Sequence, residues 1–139
     1  MLRLAAPHGQ RARRAYLTPF LSMLALLGVA GCAGAAPLHP AYARSQVEPV
    51  TVSRVADDAI AIRYRVPPES LQYSPGVDYE KDGDLLRIFI VRCRIGNACE
   101  PMAKSTVPLD QRWSAEVRIP YHLEQVRLIS VGEDTPIYP

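Results

Sequence analysis

The sequence predicts an all-β fold, a small antiparallel sandwich of about seven strands that follows a cleaved signal peptide and a flexible tether. After position 48, segments in which apolar and polar residues alternate recur at intervals of roughly 8–20 residues, as half-buried strands do. Turn sequences rich in Pro, Gly and Asp separate these segments. Beyond the first 31 residues, no segment keeps a helical period.

Residues 1–31 have the layout of a secretory signal peptide. The stretch Met1–Arg14 contains four arginines, and an apolar run follows from Ala15 to Ala30. This run is shorter than the roughly 20 apolar residues that a membrane-spanning helix needs. We therefore predict that residues 1–31 are removed on export. The pair Arg13-Arg14 resembles a twin-arginine signal, so both the general and the twin-arginine export routes stay open.

The segment Val29-Ala30-Gly31-Cys32 resembles the lipobox of bacterial lipoproteins. The resemblance implies cleavage before Cys32 and a diacylglycerol on its thiol, with palmitate among the acyl chains that anchor the protein stably. Ala33 stands where inner-membrane members usually have Asp, which implies sorting to the periplasmic face of the outer membrane. The alternative is cleavage at Ala33-Gly34-Ala35, which would leave a soluble periplasmic or secreted protein.

The charge balance changes once this segment is removed. All 14 acidic residues but only twelve of the 16 basic ones lie after Gly31, so residues 32–139 carry a net charge of −2. This balance argues against nucleic acid as a partner.

The remaining chain divides into a tether and a domain. Residues 32–47 comprise the lipidated cysteine and a flexible tether, because Ala33–Pro49 contains three prolines and no periodic pattern. Residues 48–139 form the β-domain. Its predicted strands are Val50–Val55, Ala59–Val66, Leu85–Arg94, Trp113–Ile119 and Gln125–Val131.

Other segments of the domain are less regular. Leu71–Tyr79 is ambiguous because it contains a Pro75-Gly76 turn, Thr106-Val107 is a candidate short strand, and the chain from Gly132 onward is an irregular tail. Asp82-Gly83 predicts a hairpin turn. The run Asp110–Val117 resembles the pattern of a turn, a Trp and an alternating strand found in bacterial Ig-like domains, which implies an Ig-like sandwich.

Three cysteines are an odd number for an exported protein, but the count is resolved if Cys32 carries the lipid. Cys93 and Cys99 then remain, with the turn pair Gly96-Asn97 between them. We predict a structural disulfide that faces across a hairpin tip. Free thiols and a redox-active pair are the alternatives, although redox-active pairs usually have Cys-x-x-Cys spacing.

Arginines in the predicted strands are the candidate binding residues. Arg63, Arg65, Arg118 and Arg127 alternate with apolar residues, so they are expected to face solvent and to meet an anionic partner if they share one face. The alternative is that they decorate the sheet exteriors and pair with acidic residues.

The acidic residues Asp78, Glu80, Asp82 and Asp84 have every-other spacing but lack the order of an EF-hand loop. A solvated hairpin tip is the expectation, and an opportunistic calcium site is the alternative.

No catalytic or cofactor motif is recognisable. Ser105, Asp110 and His122 supply the residue types of a triad without its sequence context, and no residues have metal-ligand spacing. We expect neither a metal nor another cofactor.

The sequence thus predicts a non-enzymatic lipoprotein that acts as a binding or assembly accessory, with the membrane and an envelope protein as partners. A binder of an anionic small ligand or glycolipid is the second hypothesis, and an enzyme of unrecognised type is the third.

Overall fold

The computed structural model describes residues 37–106 and 112–139, and this part of the chain folds as an all-β domain, as the alternating segments predict. The predicted signal peptide, Cys32, Val107 and Asp110 lie outside the described residues.

The described chain contains ten strands and one short helix. Seven of the strands have six or seven residues, in agreement with the predicted number. In chain order the elements are α1 Arg44–Val47, β1 Thr51–Ala56, β2 Ala59–Arg65, β3 Gln72–Tyr73, β4 Gly76–Asp82, β5 Leu85–Ile90, β6 Cys93–Arg94, β7 Ala103–Lys104, β8 Ser114–Pro120, β9 Gln125–Ser130 and β10 Glu133–Tyr138.

The strands form two main sheets and a small one. The first has the order β1-β2-β8, the second β10-β9-β5-β4-β7, and β3 pairs with β6. Strand pairs in the described chain are antiparallel except β5 and β9, which run parallel with Leu85 opposite Gln125 and Ile88 opposite Leu128. This parallel pair makes the five-stranded sheet mixed, a feature that the sequence did not predict.

The core lies between the inner faces of the two main sheets. On β2, Ile60, Ile62 and Tyr64 are fully buried, while the intervening Arg63 and Arg65 are exposed. Ile88 and Leu128 are among the buried residues of the facing sheet. Because successive side chains of a strand point to opposite faces, the alternation read from the sequence sets both the core and the solvent face. Full burial of one such aliphatic side chain stabilises the fold by about 1.5–3 kcal/mol.

The two ends of the sandwich differ in which loops they carry. At what we call the entry end, β2 finishes, β4 begins, and both β5 and β9 finish. The hydroxyls of Tyr64 and Ser74, 3.0 Å apart, join the sheets here. At the far end, the turns Asp57-Asp58 and Gly83-Asp84 lie, and the Tyr121 hydroxyl donates to the carbonyl of Pro139 at 3.0 Å.

The domain includes residues that were predicted to belong to the tether. Tyr42 and Val47 are 2% and 1% exposed and belong to the core cluster, and Val47 is the last residue of α1. Part of the segment predicted as tether therefore packs against the β-domain. The burial of these two residues could not be predicted from the sequence, because two isolated apolar residues among prolines show no periodic pattern.

Three other segments differ from their predictions. The tail is a strand, β10, which pairs with β9 although it contains Pro136; an edge strand with a bulge at that point tolerates the missing N–H. The predicted strand Leu85–Arg94 stops at Ile90 and resumes as β6 in another sheet. The short strand lies at Ala103–Lys104, before Thr106.

Within residues 37–106 and 112–139, the structure contains no helix that is both long and apolar enough to cross a bilayer.

Candidate functional site

A pocket of about 370 Å³ lies at the entry end, on the outer face of the three-stranded sheet. Three arginines contribute to its wall together with two hydroxyl residues and a proline. The lining residues are Pro49, Thr51, Arg63, Arg65, Arg112 and Ser114. The structure therefore brings the predicted pair Arg63 and Arg65 together with a third cation.

Strand register explains how these side chains meet. Thr51 is opposite Arg63 across the β1–β2 pair, and Ser114 is opposite Arg65 across the β2–β8 pair. Directly opposite residues share a face, so two guanidinium groups and two hydroxyls project to the same side. The alternation of β2 aims the arginines outward because Ile62 and Tyr64 occupy the core side.

Arg112 is absent from the predicted set because it precedes a strand instead of lying within one. Next to it, Trp113 has a positive φ of 60°, and its carbonyl accepts a hydrogen bond from the backbone N–H of Val66 at 2.7 Å. This bond ties the start of β8 to the end of β2. Arg112 lies two residues before Ser114. It could have been identified from this position once the β2–β8 register was known.

The other two candidate arginines lie elsewhere. Arg118 shares the outer face of the same sheet, opposite Ala61, but it does not line the pocket, and its Nε lies 4.0 Å from Glu116 Oε1. Arg127 is on β9 in the five-stranded sheet, where its Nε donates to Asp134 Oδ1 at 2.6 Å. The four predicted arginines therefore do not form one face. Alternation specifies the side of a strand but not the sheet to which the strand belongs.

The pocket has the chemistry of an anion site. Arginine presents a planar fork of N–H donors that matches carboxylate and phosphate oxygens, and the two hydroxyls can donate as well. Glu116 stands opposite Arg63 in the β2–β8 register, so one carboxylate borders the three guanidinium groups. Among the described residues that line the pocket, the charged ones are the three arginines.

A second concavity, of about 430 Å³, lies at the same end and is lined by Pro68–Gln72 and Arg92. Here the Arg92 guanidinium pairs with the Glu69 carboxylate through both Nε and Nη2. That hydrogen bond raises the pKa of Arg92 above its ordinary value. This concavity has one arginine in its lining, whereas the first pocket has three.

Tyr42 packs beside this pair. The Arg92 guanidinium carbon lies 5.4 Å from the centre of the Tyr42 ring. Burial first, and then the nearby Glu69 carboxylate, raise the pKa of the Tyr42 hydroxyl to about 12. The Tyr42 hydroxyl therefore stays neutral at physiological pH.

The predicted disulfide is confirmed. Cys93 and Cys99 are bonded, with their Cα atoms 6.2 Å apart. Between them, the backbone N–H of Asn97 donates to the carbonyl of Arg94 at 3.0 Å, and Gly96 adopts a φ of 92° that favours glycine. The bond closes a loop that follows β6, which pairs with β3 rather than with a strand after Cys99. A disulfide indicates an oxidising compartment outside the cytoplasm.

The predicted acidic cluster is engaged by protein groups. Asp78 Oδ1 accepts a hydrogen bond from the Met102 backbone N–H at 2.8 Å, and Glu80 and Asp82 both lie within 4 Å of the Arg87 guanidinium. In the part of the chain that the structure describes, no group of three or more His, Cys, Asp or Glu residues is arranged to hold a metal ion.

The residue types of a triad are not brought together. The Ser105 N–H donates to the Pro75 carbonyl at the entry end, whereas His122 lies at the far end beside Glu124. Asp110 lies outside the described residues.

Comparisons with protein-family models, curated proteins and solved structures find no match for this chain. The described chain is a small, mostly β domain with one disulfide. Its function is therefore inferred from its own residues.

Proposed function

We propose that the chain is an outer-membrane lipoprotein facing the periplasm, and that its β-domain is a non-enzymatic accessory that binds an anionic partner. The lipobox-like segment that ends at Cys32 and the Cys93–Cys99 disulfide support the location. The lipid would place the domain at the membrane through a linker that ends before Tyr42.

The arginine pocket carries the binding part of the proposal. Arg63, Arg65 and Arg112 surround one pocket of about 370 Å³, with Thr51 and Ser114 beside them. Several guanidinium groups around one volume favour a phosphate or carboxylate over a neutral ligand, because charge-assisted and bidentate hydrogen bonds are the strong ones. This observation favours the anionic-partner hypothesis over an accessory role without a ligand.

The anchor is tested by the intact mass of the protein extracted in detergent from its native envelope. We expect the mass of Cys32–Pro139 plus lipid, less the two hydrogens of the disulfide. Replacement of Cys32 by Ser is expected to abolish the added lipid. A mass without lipid in the unaltered protein would contradict the anchor.

The pocket is tested on the intact lipidated protein in detergent, with inorganic phosphate as the probe. Trp113 is the single tryptophan of the sequence and stands between Arg112 and Ser114, so its fluorescence reports on the pocket. We expect a saturable change in emission that is lost when Arg63 and Arg65 are both replaced by Gln.

The matched control is Arg118→Gln, which removes a cation from the same sheet face but outside the pocket. We expect it to keep the response to phosphate. Equal losses in the two variants, or no response in the unaltered protein, would contradict a specific anion site.

A protein partner in the envelope belongs to the same proposal. Cross-linking of the anchored protein in intact envelopes is expected to yield a specific adduct that the Arg63→Gln/Arg65→Gln variant loses. The absence of any specific adduct would count against the accessory role.

A further inference from the structure

Exposed apolar side chains concentrate at the entry end. Of the eight large apolar residues that are exposed in residues 37–106 and 112–139, five lie there: Leu71, Tyr73, Ile95, Trp113 and Val131. Leu71 and Ile95 are 65% and 59% exposed. Apolar residues that cluster at one end of a small domain need a partner surface, whereas scattered ones do not.

The β3–β6 pairing gathers part of this set on one face. The backbone N–H of Ile95 donates to the Leu71 carbonyl at 2.9 Å, which continues the register in which Tyr73 is opposite Cys93. Residues at alternate positions of paired strands share a face, so Leu71, Tyr73 and Ile95 project together. The disulfide between Cys93 and Cys99 closes the loop that carries Ile95.

The same end is rich in cations. Arg63, Arg65 and Arg112 line the pocket, and Arg94 is exposed on β6. The carboxylates described at this end include those of Glu48 and Glu69, which each pair with an arginine, and that of Glu100, which pairs with Lys104. Glu116 borders the pocket, and Glu133 begins β10. By contrast, the far end carries a larger share of acidic residues. Asp57, Asp58, Asp82, Asp84 and Glu124 lie there together with the cations Arg54, Lys81 and Arg87.

The chain enters the domain at this end. The Val131 backbone N–H donates to the Tyr42 carbonyl at 2.9 Å, and Tyr42 lies against Arg92. Cys32 precedes Tyr42 by ten residues, which span at most about 35 Å when fully extended. A lipid on Cys32 would therefore attach the domain to the bilayer through its entry end.

We propose that the entry end is a membrane-docking surface, and that it rests on the anionic phospholipids of the bilayer in which the lipid of Cys32 is inserted. This inference depends on the proposed lipid anchor. Leu71, Ile95 and Trp113 enter the interfacial region, where Trp is favoured, and the arginines bind headgroup phosphates. The acidic far end then faces away from the anionic surface.

Trp113 provides the test. The intact lipidated protein is reconstituted into vesicles of phosphatidylcholine and phosphatidylglycerol whose acyl chains are brominated, and quenching of Trp113 emission is measured. A docked entry end is expected to give quenching several times greater than that of a tryptophan at the far end. The far-end probe is the variant Trp113→Phe with His122→Trp, which moves the single tryptophan to an exposed far-end position.

Two pairs of variants separate the contributions. Leu71→Ser with Ile95→Ser is expected to reduce the quenching of Trp113, whereas Leu123→Ser, which removes an exposed apolar residue at the far end, is expected to leave it unchanged. Arg63→Gln with Arg65→Gln is expected to reduce quenching in the anionic vesicles, whereas Arg118→Gln is not. In vesicles of phosphatidylcholine alone, quenching is expected to fall.

The outcomes distinguish the inference from the anchor. Flotation with vesicles and the lipidated mass report the anchor; if both fail, the proposed lipoprotein fails and the inference with it. If the protein floats but Trp113 and the far-end probe are quenched equally, the domain tumbles freely and the inference is wrong. If it floats and neither probe is quenched, the inference is also wrong, and the surface is left for a protein partner.

Discussion

The entry end and the far end of this sandwich are built from the same two sheets but differ in chemistry. The entry end combines exposed apolar side chains with the arginine pocket, whereas the far end combines tight turns with acidic side chains. At the far end, the one deeply placed carboxylate, that of Glu124, is bound by Lys81 Nζ at 2.7 Å and by the His122 N–H at 2.5 Å. The difference teaches that two ends built from the same sheets can present different surfaces, one acidic and one that combines arginines with apolar side chains.

The largest loss of stability is expected from substitutions of Tyr64, the buried residue whose hydroxyl meets that of Ser74 at the entry end. Tyr64→Ala removes a fully buried ring and is expected to lower the free energy of unfolding by about 3–5 kcal/mol. Tyr64→Phe keeps the ring but leaves the Ser74 hydroxyl without this partner, at a cost of about 1 kcal/mol. Urea denaturation measures both. Similar losses for the two variants would show that the hydroxyl bond, not the packing, joins the sheets at this end.

The next effect probes the far end through Glu124. Burial raises the pKa of this carboxyl, but the hydrogen bonds from Lys81 and from the backbone N–H groups of His122 and Glu124 outweigh burial and lower it to about 2. Glu124→Gln is expected to cost about 1.5–3 kcal/mol at neutral pH, because a charged hydrogen-bond acceptor is lost.

The pH dependence has a definite sign. Because the folded-state pKa of Glu124 is depressed, its stabilisation is fully present above the ordinary value of 4.5 and is lost as pH falls toward about 2. The unaltered protein and the Gln variant should therefore converge in stability across that window, as measured by denaturation at a series of pH values. A stability gap that does not narrow on acidification would exclude this role for the carboxylate.

The disulfide offers a third comparison, since its counterpart at the far end is a set of turns without a cross-link. Replacement of both Cys93 and Cys99 by Ser is expected to lower stability by about 2 kcal/mol, because the closed loop is short. Reduction of the unaltered protein should give the same loss and serves as the control. Quenching of Trp113 in vesicles should also fall, because the exposed residues Leu71 and Ile95 lose the covalent cross-link beside them.

The smallest effect is expected from a surface pair outside both ends. Arg127→Gln breaks the contact with Asp134 and should cost no more than about 1 kcal/mol, since a solvated ion pair contributes little. Arg65→Gln should cost even less, because it removes one of several clustered like charges. If Arg65→Gln proved the more destabilising of the two in denaturation experiments, the pocket would have a structural role.

Alternation made the sheets predictable, but it did not determine how they are arranged. Ile60, Ile62 and Tyr64 identified a half-buried strand, and Asp82-Gly83 identified a hairpin, because both signals are local. The parallel pairing of Leu85 with Gln125 is a contact between residues forty positions apart, and no local pattern encodes it. β10 was not predicted because it contains Pro136. A proline is compatible with a strand at the edge of a sheet, and the edge position of β10 is not visible in the sequence.

The candidate site was predictable to the same extent. Arg63 and Arg65 could be assigned to a solvent face from their own strand, and the structure places them in one pocket. Arg127 satisfied the same rule but lies on the other sheet. Arg112 and the buried Tyr42 were not predicted, because only the pairing of the strands shows which residues lie beside these two.

The parallel contact between β5 and β9 also determines how the two main sheets are assembled during folding. After β5 the polypeptide passes through β6 in the small sheet and β7 at the edge of the five-stranded sheet. It then contributes β8 to the opposite layer and returns as β9 to lie between β5 and β10. Neither layer is therefore encoded by an uninterrupted stretch of sequence. The two layers can only be finished together, and a truncation that removes the last two strands, β9 and β10, would leave the middle strand β5 as an unpaired edge of its layer. Such long-range closure is expected to make folding slow relative to helical domains of similar size.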